Sequence, residues 1–106
     1  MRCLVICVLS VVFAGCTWVP IDDGAKAVRV FKAGAAVTAG CVLQSEIDVS
    51  VKDRLGPVRR DPVKVLDELE TLARNEAFEG RANAIQAKAP PIDGRQRFDA
   101  FICKKN

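Results

Sequence analysis

One apolar run near the start constrains this chain more than any other feature. Residues 3–14, CLVICVLSVVFA, carry no charge and follow the lone cation Arg2. A helix needs about 20 residues to cross a bilayer core of about 30 Å, so this run is too short to span one. A positive residue, a short apolar core and then small residues fit a secretory signal peptide ending at residue 15. Its removal leaves 91 of the 106 residues to fold. So small a domain buries a modest share of its surface and gains from a covalent staple.

The run closes with Phe13-Ala14-Gly15-Cys16. Small residues before a cysteine resemble a lipobox, the recognition site of the lipoprotein signal peptidase, with Phe13 where Leu is usual. The resemblance implies that the Cys16 thiol takes a diacylglycerol, that the bond before it is cut, and that the new amine is acylated. Cys16 then binds the membrane through its acyl chains. Several chains make a stable anchor, since each buried methylene contributes about 0.8 kcal/mol and one chain alone is marginal. Thr17 stands where an Asp would retain such a protein in the inner membrane. That implies a lipid anchor in the cell outer membrane, with the domain facing the periplasm. Trp18 suits either the membrane interface, where Trp is favoured, or packing on the domain. The expected organisation is a signal over 1–15, a lipidated tether over 16–27 and a small α+β domain over 28–106.

Composition removes several function classes. The sequence has no histidine, which excludes Ser-His and Cys-His nucleophile pairs and the commonest metal ligand. It also has no tyrosine, which weakens any base-stacking platform. The net charge of +3 becomes +2 without Arg2, and the charges are mixed, so nucleic-acid binding is not expected. No phosphate loop, dinucleotide fingerprint or metalloprotease helix is present, and no cofactor or metal is expected.

Periodicity predicts the elements. Residues 17–27, TWVPIDDGAKA, hold Pro20, Asp22, Asp23 and Gly24 and read as the tether. VRVFK over 28–32 reads as a strand, followed by an Ala/Gly-rich connection. Over 42–52, Leu43, Ser45, Ile47, Val49 and Val51 alternate with Gln44, Glu46, Asp48, Ser50 and Lys52, which predicts a strand with one wet face. Gly56-Pro57 marks a loop. Asp61 before Pro62 is a helix start, because Asp caps free N–H groups and Pro at the first position loses no bond. The helix is expected over 61–79. Val65, Leu66, Leu69, Leu72 and Ala73 form its apolar stripe, while Asp67, Glu68, Glu70 and Arg74 face water and Glu76 sits at the stripe's edge. Gly80 is the stop. A third strand is expected over 83–89, an Asp93-Gly94 turn after Pro90-Pro91, and a fourth strand over 95–103. The fold class is α+β, with a four-stranded mixed sheet in the order β-β-α-β-β on one helix.

Three cysteines remain after the signal. With Cys16 taken by lipid, Cys41 and Cys103 are an even pair in an oxidising compartment, which predicts a disulfide. If the helix returns the chain so that strand three runs parallel to strand two, the start of strand two and the end of strand four share one end of the sheet. A redox pair would favour Cys-x-x-Cys, and two cysteines without histidine are a poor zinc site.

Few other residues suggest chemistry. Glu46 and Asp48 share a strand face, but nothing apolar surrounds them to raise a pKa. A pocket joining two of Glu46, Asp48 and Asp99 would be needed for carboxylate catalysis. Arg59 and Arg60 precede the helix, whose positive dipole end favours anions, yet solvated loop charges are the expectation. Arg95, Arg97, Lys104 and Lys105 are expected at the surface.

The lipobox with CTWVP, the VRVF strand, the lone Cys41, DELETLARNEA, GRANAI and GRQRFDAFIC together resemble a family of short proteobacterial lipoproteins that carry a domain of unknown function. The architecture is loosely similar to the Rcs envelope-stress sensor lipoprotein, without its long Pro-rich linker. These likenesses and the absent catalytic motifs lead us to expect a non-enzymatic lipoprotein that binds or senses an envelope protein partner. The alternative is a structural lipoprotein that binds peptidoglycan or another envelope polymer.

Overall fold

The computed structural model describes residues 19–37 and 39–104. The signal, Cys16, Trp18 and Lys105 lie outside the described residues. Strands β1 (Arg29–Phe31), β2 (Cys41–Ser50), β5 (Ala84–Ala87) and β6 (Arg95–Cys103) form one sheet in the order β1-β5-β6-β2, and helix α1 (Pro62–Glu79) covers one face. β1 and β5 are parallel, while β6 is antiparallel to both β5 and β2. The sheet is therefore mixed, and β5 runs parallel to β2 with β6 between them. Two short strands, β3 (Arg54–Leu55) and β4 (Val58–Arg59), add a hairpin at Gly56-Pro57 where a loop was expected.

The helix begins as expected. Asp61 accepts from the Val63 N–H at 3.0 Å, and Pro62 is the first helical residue. Its end differs in detail. Gly80 is the cap, but the left-handed residue is the next one, Arg81, at φ 72°. The Ala82 N–H reaches the Ala77 carbonyl at 2.8 Å and the Arg81 N–H reaches that of Phe78 at 3.0 Å. That pairing is a Schellman closure, which normally puts glycine at the left-handed position.

The core forms between α1 and the sheet. Val65, Leu69, Ala73 and Ala77 recur every fourth residue and meet Ile47, Val49, Ile85, Phe98 and Ala100. Small residues let the helix sit close to the strands, so the buried row is narrow. Leu66, expected in the stripe, lies off that row and is exposed, and Leu72 is half-buried.

Leu43 corrects the alternation over 42–52. β2 pairs Leu43 with Phe101 and then Ser45 with Ala100, so Gln44 is an extra residue in the ladder. Such a bulge shifts the side-chain alternation by one residue. Leu43 thus shares the face of Cys41, opposite to Ile47 and Val49. That far face has its own small cluster of Phe31, Val37, Ala84, Phe101 and the two cysteines. Phe31 and Phe101 meet edge to face at 6.4 Å. The Gln86 amide donates to the Lys32 and Ala35 carbonyls, at 2.8 and 2.7 Å, and pins the connecting loop over this cluster.

Cys41 and Cys103 face each other in the register and are joined by a disulfide. The segment read as tether is docked along much of its length. Asn75 donates to the Pro20 carbonyl at 3.0 Å and accepts from the Asp22 N–H at 2.8 Å, and Arg74 donates to the Lys26 carbonyl at 2.8 Å. The short 3-10 helix Gly24–Ala27 buries Ala25 completely.

Candidate functional site at the tip of the domain

The end of the domain opposite the disulfide gathers hairpin β3–β4, the start of α1 and the turn before β6. Arg60 holds these parts together. Its guanidinium forks onto both Glu68 oxygens, at 3.1 and 2.7 Å, and donates to the Lys52 carbonyl at 2.7 Å. Its backbone N–H also closes the hairpin on the Asp53 carbonyl at 2.9 Å. Both side chains are about nine-tenths removed from solvent, at 9% and 11% exposure. The hydrogen bonds that Arg60 donates to Glu68 raise its pKa further above its usual value, so the cation is permanent. Two expectations change here: Glu68 does not face water, and Arg60 is not a solvated loop charge. A charged residue one helical step off an apolar stripe reads as exposed unless its partner is known, and that partner sits in a loop eight residues earlier. Arg59 remains exposed, as expected.

The turn before β6 is as tight as its sequence suggests. Asp93 and Gly94 both have positive φ, 51° and 76°, and Ile92 and Arg95 exchange backbone bonds at 2.8 and 2.9 Å. The Gly94 carbonyl accepts from the Val51 N–H at 2.8 Å. A Cβ at Gly94 would collide with the Val51 carbonyl oxygen, so only glycine fits between the turn and the end of β2. A cleft of about 210 Å³ runs between the hairpin, Pro62 and this turn.

This fixed frame exposes four apolar side chains. Leu55, Val58, Val63 and Ile92 are each more than half exposed. Leu55 and Val58 are direct cross-strand partners beside the hairpin turn. Exposed Arg54, Arg59 and Lys64 adjoin Leu55, Val58 and Val63 in the sequence, and exposed Arg95 closes the turn after Ile92. Grouped exposed apolar side chains mark a candidate interaction surface, and arginine is a cation enriched at such surfaces. Sequence reading missed this group because two-residue strands carry no periodic signal. The available hint was Leu55 and Val58 bracketing Gly56-Pro57.

The acids singled out in the sequence lie elsewhere, on the face of the sheet away from α1. Glu46 and Asp99 are cross-strand partners, and Lys88 stands between them at 2.9 and 3.5 Å. Arg95 pairs with Asp48 at 3.4 Å. The hydrogen bond and charge of Lys88 hold the Glu46 carboxyl below its usual 4.5, and Glu46 in turn raises Lys88 above 10.5. A depressed carboxyl is the opposite of what a general acid requires. Cys41 and Cys103 are brought together as a structural bond; Cys16 is outside the described residues. Among the described residues no group of three or more acids or cysteines is placed to hold a metal, and no helix is long and apolar enough to cross a membrane.

The family model described as Domain of unknown function (DUF4156) matches residues 19–103. No curated protein and no solved structure matches the chain.

Proposed function

The chain belongs to the DUF4156 family, and from that premise we propose that it is a proteobacterial outer-membrane lipoprotein, anchored through acyl chains on Cys16, whose tip binds an envelope protein partner without catalysing a reaction. The observation that carries the binding role is the tip itself: four exposed apolar residues among arginines and a lysine, on a base locked by Arg60, Glu68 and Gly94. A surface of this kind prefers a partner that offers an apolar patch with acidic edges. The anchor is supported by the Phe13-Ala14-Gly15-Cys16 sequence after a charged start and an apolar run. Outer-membrane sorting is supported by Thr17.

Two measurements test this reading. The intact mass of membrane-extracted protein, with and without reductant, reports cleavage before Cys16, the acyl mass and the disulfide together. A photo-crosslinking residue at Leu55 or Val58 in living cells is expected to give a defined adduct under envelope stress, and the same residue at exposed Glu79, at the far end of α1, is not. Recovery of no specific adduct overturns the partner role. Retention of the protein on purified sacculi, with no adduct at the tip, supports the envelope-polymer reading instead.

A further inference from the structure

We propose that the disulfide-closed end of the sheet rests on the lipid surface and that the tip points away from it; this rests on the reading of Cys16 as the acylated residue. The first argument is the path of the chain. Pro20 is fastened to Asn75, one turn before the end of α1. Cys16 precedes Pro20 by four residues, so an acyl chain attached there starts within about 14 Å of that point. The other end of the helix, at Pro62, lies 13 residues back along its axis, about 20 Å farther off. The short lead therefore holds the disulfide end, not the tip, next to the bilayer.

The second argument is what that end exposes. Val42 and Ile102 are cross-strand partners on the helix-covered face of the sheet, and both are exposed. The last helical turn stops short of them at Gly80, whose carbonyl takes the Gln44 amide at 2.8 Å. The bulge at Gln44 puts exposed Leu43 on the opposite face, so both faces of this sheet end carry uncovered apolar side chains. Phe78, nearly half exposed, lies over Gly24 beside the incoming chain. An apolar wedge next to an acyl anchor gains by entering the interface.

Cations also lie at this end. Arg29, Arg81 and Lys104 are exposed around this end, and the Lys104 N–H bonds to the Gly40 carbonyl beside the disulfide. Cations near an anionic leaflet add attraction to the apolar contact. Glu76 and Glu79 on the last turn of α1, and Asp22 and Asp23 on the incoming chain, are the opposing acids, so the charges offset and the apolar residues provide the contact.

The test uses the full chain as processed in cells, reconstituted in vesicles of phosphatidylethanolamine and phosphatidylglycerol that carry a diazirine-bearing lipid. After illumination, mass spectrometry maps the labelled peptides. Residues 41–43 and 102–104 are expected to take several-fold more label than 54–59 and 92–95. Val42→Ser with Ile102→Ser, at exposed positions that leave the core untouched, should remove most of that excess. Even labelling of both ends, or label concentrated at the tip, with acylated Cys16 overturns the orientation and leaves the anchor standing. Loss of the label at 41–43 and 102–104 as protein density is raised shows a second copy covering the wedge and also overturns it. A mass without acyl chains on Cys16 overturns the anchor reading and this inference with it.

Discussion

Asn83 holds Cys103 by both of its backbone groups: its side-chain oxygen accepts from the Cys103 N–H at 2.7 Å and its amide donates to the Cys103 carbonyl at 2.9 Å. The side chain thus continues the β5 ladder by one position. Because these groups of Cys103 turn toward β5, its pairing with Cys41 is of the non-hydrogen-bonded kind, in which side chains approach most closely. The amide places the sulfur for its partner across the sheet. Asn83→Ala should therefore cost about 2 kcal/mol through two lost hydrogen bonds. It should also speed amide exchange at Cys103. Unchanged exchange there would show that the ladder alone orders the strand end.

Removing the disulfide should cost more. Cys41 and Cys103 are 62 residues apart, and closing a loop of that length stabilises by about 4 kcal/mol on the chain-entropy model. Denaturant unfolding of Cys41→Ser/Cys103→Ser against the oxidised protein measures it. A midpoint within error of the oxidised protein would refute the estimate.

Arg81 offers a gain instead of a loss. It occupies the left-handed position of the helix stop, at φ 72°, where a side chain costs about 1 kcal/mol relative to glycine. Its side chain is exposed, so Arg81→Gly removes little packing. A rise in thermal midpoint of a few degrees is expected. A fall would mean that the guanidinium contributes more than the backbone loses.

The Arg60–Glu68 pair should behave as an enclosed ion pair. Glu68→Gln or Arg60→Met alone leaves one charge without its partner and should destabilise. The double change Arg60→Met/Glu68→Leu should be more stable than either single variant. Thermal unfolding of the four proteins closes the cycle. A double variant that falls by the sum of the singles would show that the two groups act independently.

Stability should be flat across neutral pH. The sequence has no histidine, and the two bonded cysteines do not titrate. On the acid side, the Glu46 pKa in the folded state lies below its ordinary 4.5. Its contribution is full above 4.5 and is lost as pH falls through the lowered value. On the basic side, Lys88 is raised above 10.5. Its contribution is full below 10.5 and is lost as pH rises through the raised value. Lys88→Met should flatten both edges of a plot of thermal midpoint against pH.

Sequence alone determined the local features of this protein. The Asp61-Pro62 start, the helical stripe of Val65, Leu69 and Ala73, the Asp93-Gly94 turn, the strand over 95–103 and the pairing of Cys41 with Cys103 all follow from the residues. Each rests on bonds or spacings within a few neighbours, or, for the cysteines, on a count that leaves one partner once Cys3 and Cys7 are assigned to the proposed signal and Cys16 to the proposed anchor. Tertiary structure alone decided the rest. It set β1 beside β5, moved Leu43 to the other face through the Gln44 bulge, enclosed Glu68 with Arg60, docked residues 20–27 on the helix and assembled the tip from a hairpin, a helix start and a turn. These outcomes depend on which distant segments meet, and such meetings are chosen by the packing of the whole sheet and helix, to which no local periodicity refers.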